Sequence, residues 1–242
     1  MAETADRGPT PRTSQGTGSA LTQHLWRPLL VVVLQAVALV AAAGTLTWPA
    51  GWVYVGLYLG VIVVGMALLR AHDPDLVRER AEGWRGGERW DIRVTRVLAV
   101  AFFAVLVTAG LDERLMWSPA LPMPVLIGGA VFVVAGYALT TWAMYVNTFF
   151  TVTVRIQPER GHTVVTDGPY TYVRHPGYVG MLVSMLAATF LLGSLWALIP
   201  WALYAGVIVV RTALEDRTLL RGLAGYPEYA ARTRYRLLPP VW

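Results

Sequence analysis

The chain has 242 residues, of which 55% are hydrophobic and only 14% are charged, whereas an average soluble domain carries about a quarter charged residues. This composition excludes an ordinary water-soluble globule, a disordered chain and a disulfide-rich secreted protein, and it predicts a protein of the lipid bilayer. There is no cysteine, which excludes disulfides, thiolate metal sites, cysteine nucleophiles and palmitoylation.

The chain begins with small, polar and Pro/Gly-rich residues, which predict a disordered N-terminal tail over residues 1–24. Six apolar stretches follow that can cross, or nearly cross, a hydrocarbon core requiring about 20 helical residues. They are Leu25–Thr47, Trp48–Leu69, Val94–Gly110, Pro124–Tyr145, Gly177–Gly193 and Leu195–Val210. The third and fifth are short, so five spans are the alternative to six. The predicted fold class is all-α, a polytopic membrane helix bundle.

Two regions follow from the spacing of these stretches. A four-helix transmembrane region covers residues 25–150 and includes a charged loop over 70–96, in which Pro74–Ala81 is predicted to form a short amphipathic helix. Residues 151–242 contain the last two spans. Because these two are joined by little more than Gly193-Ser194, we expect them to form a tight helical hairpin.

The distribution of charge predicts the orientation of the chain. All twenty basic residues are arginine, and with both termini in the cytoplasm all but Arg114 fall on the cytoplasmic side, as the positive-inside rule requires. We therefore expect a multi-pass protein of the plasma membrane with both termini inside. Topology and anionic lipid headgroups account for the net charge of +5, so no nucleic-acid partner is expected. The four histidines have no metal-ligand spacing, so no metal is expected either.

Two polar clusters in the last third of the chain are candidates for function. Polar side chains within a membrane cost free energy, so their presence there indicates a functional site. One cluster contains His175 directly before Pro176, which is tolerated in a first helical turn. The other contains Arg211 and Glu215, which share one helix face at a spacing of four residues. The predicted hairpin places the two clusters side by side, so one pocket near the cytoplasmic face is expected.

The residues of these clusters resemble a known family. The run Gly168-Pro-Tyr-x-x-x-Arg-His-Pro-x-Tyr-x-Gly180 and the run Arg211-x-x-x-Glu-Asp216, followed by Tyr226-x-x-Tyr229 and Arg236-Leu-Leu-Pro239, are similar to the isoprenylcysteine carboxyl methyltransferase family and its phospholipid-methyltransferase relatives. The resemblance is specific over residues 155–240. It is weaker over Pro74–Asp91, where Trp90-Asp91 looks like the cytoplasmic loop of that family.

The resemblance implies an integral membrane methyltransferase that binds S-adenosylmethionine, with residues 151–242 as its catalytic region. The residues that it assigns to cofactor binding are His162, Thr163, Val164, Val165, Tyr170, His175, Pro176, Gly177, Tyr178 and Glu215. Those that it assigns to catalysis are Arg211, Glu215 and His175, with Arg211 facing the carboxylate of the substrate. The second acid of the usual Glu-Glu pair is Asp216 here, which favours Glu215 as the functional match. Arg174 is explained by topology and is left out of the predicted site.

The expected acceptor is a lipid-like or isoprenoid molecule from the bilayer, in the first place a carboxylate, while amines, phenols and hydroxyls stay open. An NADPH-dependent isoprenoid or sterol reductase is the enzyme alternative, because its C-terminal region is similar. A small transporter or membrane scaffold is the alternative without catalysis. The oligomeric state is open.

Overall fold

A computed structural model describes residues 17–83 and 87–242, without the side chains of residues 17–25 and 82. Over this part of the chain the secondary structure is helical, without strands. The helices are α1 (Thr17–Ala43), α2 (Pro49–His72), α3 (Pro74–Glu82), α4 (Arg89–Leu115), α5 (Met123–Val146), α6 (Pro176–Leu191), α7 (Leu198–Gly222) and α8 (Tyr226–Arg232). Residues 1–16 of the predicted tail lie outside the described residues, whereas residues 17–24 form the beginning of α1.

The helix lengths agree with a polytopic membrane bundle. Among the described residues, five helices are long and apolar enough to cross a membrane, namely α1 from Trp26 onward, α2, α4, α5 and α7, whereas the apolar helix α6 has only 16 residues. The third span was expected to be short, and this expectation is wrong, because α4 has 27 residues. Charged residues lie at both ends of α4, from Arg89 to Arg96 and from Asp112 to Arg114. They lower the mean hydropathy at these ends, so the apolar stretch is shorter than the helix.

The short amphipathic helix predicted in the charged loop is confirmed as α3. Asp73 precedes it and its side chain accepts a hydrogen bond from the backbone N–H of Leu76 at 2.9 Å, which satisfies one of the free donors at a helix start. Pro74 occupies the first helical position, where a missing N–H costs nothing.

Helices α5 and α6 approach each other closely because glycine lies at their contact. A Cβ atom added at Gly136 of α5 would lie 2.6 Å from both the carbonyl oxygen of Gly180 and the backbone nitrogen of Ser184 on α6. Small residues permit such close helix packing in membranes. The contact fixes the depth of α6 against α5, and therefore the position of the α6 N-terminus.

A buried carboxylate joins the loops at the end of the bundle where α4 ends and α7 begins. Asp112 is 3% exposed. It accepts hydrogen bonds from the backbone N–H of Ser118 at 2.7 Å, from the Ser118 hydroxyl at 2.6 Å and from the Ser194 hydroxyl. Since Ser194 belongs to the α6–α7 turn, Asp112 ties that hairpin to the α4–α5 loop.

We predict that Asp112→Ala lowers the free energy of unfolding by about 1–3 kcal/mol, because it leaves buried donors without an acceptor. The apparent melting temperature of the protein in detergent measures this effect. Glu113→Ala, which removes an exposed neighbouring carboxylate, is the matched control and should leave that temperature unchanged. Equal melting temperatures for the two variants would contradict the role of Asp112.

Candidate functional site

A cavity of about 780 Å³, including the solvent space at its mouth, lies where α5 ends, α6 begins and α7 ends. We call it the polar cavity. Its wall consists of the connection between α5 and α6, the first turn of α6, the last turns of α7, and α8.

The N-terminus of α6 brings His175 and Tyr178 to the polar cavity. The backbone N–H of His175 donates to the carbonyl of Arg236 at 3.0 Å, so the C-terminal segment holds this residue in place. The His175 ring lies parallel to the Tyr178 ring at 5.8 Å. Its Nδ1 is 3.9 Å from Oε1 of Glu215, and its Nε2 is 3.5 Å from Oδ1 of Asp216. The imidazole is therefore placed between two carboxylates of α7.

Arg211 is held by an aspartate from the other half of the chain. Its Nε and Nη2 bind the two carboxylate oxygens of Asp91 at 2.8 and 3.2 Å, and Nη2 also donates to the carbonyl of Val152 at 2.8 Å. Asp91 is fully buried and also accepts from the backbone N–H of Val154 at 2.7 Å. A bidentate pair of this kind fixes the guanidinium in one orientation.

The adjacent acids of α7 have different surroundings. Glu215 lines the polar cavity and accepts a hydrogen bond from the Tyr178 hydroxyl. Asp216 is fully buried. It is bound by Nη1 of Arg174 at 3.0 Å, Nε of Arg236 at 2.8 Å and the Tyr226 hydroxyl at 2.9 Å. Asp216 therefore joins α7, α8, the C-terminal segment and the start of α6.

The connection between α5 and α6 carries His162 on the opposite wall. The His162 ring stacks on Phe149 at 4.3 Å, and its Nδ1 accepts from the backbone N–H of Gln157 at 3.3 Å. Burial and the nearby positive charges of Arg160 and Arg155 lower the pKa of His162. The neutral imidazole is therefore the form of His162 that accepts this hydrogen bond in the wall of the cavity.

We predict that the protein loses stability as the pH falls below about 6.5, the ordinary value for histidine, and that His162→Gln removes part of this loss. The folded pKa is lowered, so the unfolded chain binds the proton more readily in this window, and stability decreases with falling pH. Melting temperatures of the wild type and the variant across a pH series measure the effect. Parallel curves for the two proteins would contradict it.

The structure brings together the residues singled out from the sequence. Every predicted cofactor-binding and catalytic residue except Pro176 lines the polar cavity; these are His162, Thr163, Val164, Val165, Tyr170, His175, Gly177, Tyr178, Arg211 and Glu215. Pro176 is the buried first residue of α6.

Two important residues were missed or set aside. Arg174, which the sequence analysis attributes to topology, lines the cavity and is only 8% exposed. Asp91 had no assigned role, although it is the partner of Arg211. The signal for Asp91 was its place in Trp90-Asp91, within the weaker part of the family resemblance. Among the described residues, no group of three or more His, Asp or Glu side chains could hold a metal ion.

Comparisons with known proteins identify the family of the chain. The model of the isoprenylcysteine carboxyl methyltransferase (ICMT) family matches residues 129–221, which extend from α5 to the end of α7. The "Cobalt-zinc-cadmium resistance protein CzcN" of Cupriavidus metallidurans is 31% identical over 69% of this chain and 67% of its own length. The chain belongs to the ICMT family.

A second relative carries a name that describes an activity. The "Protein-S-isoprenylcysteine O-methyltransferase" of Schizosaccharomyces pombe is 36% identical over a segment that covers 26% of this chain and 29% of that protein. The match is thus confined to less than a third of the yeast enzyme. ICMT membership and the apolar helices support a multi-pass membrane methyltransferase.

Proposed function

We propose that this ICMT-family protein transfers a methyl group from S-adenosylmethionine to the carboxylate of a lipid-like or isoprenoid acceptor. The observation that carries the proposal is the convergence of His162, His175, Tyr178, Arg211 and Glu215 on one cavity, although they come from three separate parts of the chain. We further propose that this cavity faces the cytoplasm of a plasma-membrane protein with both termini inside, because that orientation leaves only Arg114 outside.

The residues of the polar cavity fit a cationic cofactor with an aromatic base. Phe149, Phe150, Tyr170 and Tyr178 supply aromatic surface, and Glu215 supplies a negative charge within the same cavity. Cations are attracted both to aromatic faces and to carboxylates. The His175 imidazole lies between the carboxylates of Glu215 and Asp216 and lines the same cavity. S-adenosylmethionine supplies, when bound, a methyl group already activated as a sulfonium.

Arg211 is suited to hold the acceptor. Nε and Nη2 are engaged by Asp91 and Val152, and the guanidinium lies 5.4 Å from the centre of the Tyr178 ring. Since Arg211 also lines the cavity, the charge can orient an acceptor carboxylate there. A carboxylate is ionised at neutral pH and needs no general base. Alignment of the two reactants is then the main requirement, and it can contribute up to about 7–11 kcal/mol of barrier lowering.

Calorimetric titration of the detergent-purified protein with S-adenosylhomocysteine, with NADPH in a parallel run, tests the cofactor. We expect S-adenosylhomocysteine alone to bind. Glu215→Gln and His175→Ala should weaken binding by about tenfold or more, which corresponds to at least one lost contact of about 1.4 kcal/mol. Glu228→Gln, an exposed carboxylate on α8, is the control and should bind normally.

Three outcomes of this titration would overturn the cofactor assignment. Binding of NADPH alone would support the reductase instead. Normal affinity in folded Glu215→Gln and His175→Ala would show that the cofactor lies elsewhere. Binding of neither ligand by folded protein would favour a transporter or scaffold.

The role of Arg211 is tested by Arg211→Lys, which keeps the charge but loses the bidentate geometry. We expect affinity for S-adenosylhomocysteine to stay near the wild-type value and kcat/KM for an isoprenoid acid such as farnesoic acid to fall by about tenfold to a hundredfold. Formation of radioactive methyl ester measures the rate. Arg217→Lys changes an exposed arginine of the same helix and should retain full activity. Equal rates for both variants would remove Arg211 from the acceptor site.

A further inference from the structure

The two ring nitrogens of His175 have different surroundings. Nε2 is fully enclosed by protein atoms and lies 3.5 Å from Oδ1 of the buried Asp216. Nδ1 lies on the side of Glu215, 3.9 Å from Oε1 of this carboxylate, which lines the polar cavity. Since His175 also lines that cavity, the Nε2 edge of its ring faces the protein interior and the Nδ1 edge is the one on the cavity side.

Asp216 is fixed on the interior side by two arginines and a tyrosine. Its carboxylate accepts hydrogen bonds from Nη1 of Arg174 at 3.0 Å, Nε of Arg236 at 2.8 Å and the Tyr226 hydroxyl at 2.9 Å. Nearby charges decide whether a histidine takes up a second proton. The two guanidinium groups and the carboxylates of Asp216 and Glu215 cancel each other in charge, so the surroundings do not require a charged imidazole.

The C-terminal segment fixes both the backbone and the carboxylate beside this ring. The backbone N–H of His175 donates to the carbonyl of Arg236 at 3.0 Å, while the side chain of the same arginine binds Asp216. The Arg236 guanidinium also lies over the Trp242 ring, 4.9 Å from its centre. One residue thus holds the start of the histidine side chain and its interior neighbour, which sets the orientation of the ring.

This arrangement determines which nitrogen of His175 carries the proton. A carboxylate is an acceptor only, whereas a neutral imidazole has one N–H donor and one acceptor nitrogen. A lone pair on Nε2 would face the carboxylate of Asp216, which is repulsive. Nε2 is also closer to Asp216 than Nδ1 is to Glu215, at 3.5 against 3.9 Å. The proton is therefore favoured on Nε2, and Nδ1 is left as an acceptor on the cavity side.

We propose that Asp216, held by Arg174 and Arg236, is a positioning residue that keeps His175 as the Nε2–H tautomer, so that Nδ1 accepts a hydrogen bond from the bound cofactor. This inference rests on the proposed function in one respect, because it takes the cofactor to be S-adenosylmethionine. The donors of that molecule are its ammonium, adenine amino and ribose hydroxyl groups. Asp216 itself is fully buried and acts through His175.

The acceptor role of Nδ1 is tested by comparing His175→Asn with His175→Gln. The amide of asparagine can place an acceptor oxygen near the position of Nδ1, whereas the longer glutamine places its amide near the position of Nε2. Both variants lose the ring, so the ratio of their affinities reports on the acceptor alone. We expect the asparagine variant to bind S-adenosylhomocysteine about tenfold more tightly in calorimetric titration, as for one hydrogen bond. Equal affinities, or tighter binding by the glutamine variant, would overturn this role.

The positioning role of Asp216 is tested by NMR of the detergent-purified protein with isotope-labelled histidine. The chain has four histidines, and the signal that is absent in His175→Asn identifies His175. We expect the Nε2–H tautomer in the wild type without cofactor. Asp216→Asn should shift His175 to the Nδ1–H tautomer, because the amide can donate to Nε2, and Asp216→Glu should retain Nε2–H. The Nδ1–H tautomer in the wild type, or an unchanged tautomer in folded Asp216→Asn, would overturn the proposal.

Failure of this inference is distinguishable from failure of the proposed function. Binding of S-adenosylhomocysteine by the wild type, with equal affinities in His175→Asn and His175→Gln, would leave the methyltransferase and remove Nδ1 as an acceptor. Absence of binding by the folded wild type would overturn the proposed function and the acceptor role with it. The NMR measurement needs no cofactor, so it would still decide whether Asp216 sets the tautomer of His175.

Discussion

The structure of the site depends on how the irregular segment after α5 satisfies its backbone carbonyl groups. Residues 147–157 form neither helix nor sheet and are half-buried or buried, so a carbonyl group without a hydrogen-bond partner is costly there. Side chains within the segment, just after it and on the distant helices α3 and α7 supply the donors. Arg160 binds the carbonyl of Thr148, Gln157 that of Phe149, Arg80 that of Phe150 and Arg211 that of Val152.

The arginines that donate these hydrogen bonds bring positive charge close to the polar cavity. Arg80 and Arg211 are directed to the segment by the carbonyls that they satisfy, and Asp91 compensates the charge of Arg211. Removing one partner from a buried ion pair typically costs about 3–5 kcal/mol, so Asp91 and Arg211 are expected to be required together. The pair also connects α4 with α7, which couples the shape of the polar cavity to the packing of the bundle.

Glu215 and Asp216 are adjacent in the sequence but have different roles. Successive residues of an α-helix point about 100° apart, so one carboxylate can face a cavity while the next faces the protein interior. Asp216 is surrounded by Arg174, Arg236 and Tyr226, and burial together with the negative charge of Asp216 raises the pKa of Tyr226. Asp216 therefore holds neighbouring segments of the chain together, whereas the carboxylate of Glu215 remains open to the polar cavity.

Much of this architecture could be predicted from the sequence because it follows local rules. The apolar stretches predicted the long helices, and the Gly193-Ser194 link predicted the α6–α7 hairpin. The spacing of four residues predicted that Arg211 and Glu215 share one helix face. The partner of Arg211 could not be predicted, since Asp91 is 120 residues away and no local pattern encodes that contact.

The same limit applies to Arg174 and to the length of α4. The positive-inside rule offered a sufficient reason for an arginine beside a span, so nothing indicated that Arg174 would turn inward to a buried carboxylate. Charges at the ends of α4 reduce its hydropathy without ending the helix. In both cases the deciding interactions lie in the tertiary structure.

The shortness of α6 explains why a cavity exists at this place. With 16 residues α6 is about 24 Å long, whereas α7 has 25 residues and is about 37 Å long. The glycine contact with α5 fixes α6 in depth, so the longer α7 continues past the α6 N-terminus and leaves a recess. His175 lies at the base of this recess, and Glu215 lies on the wall that α7 adds. A water-soluble molecule can enter such a recess from the end of the bundle.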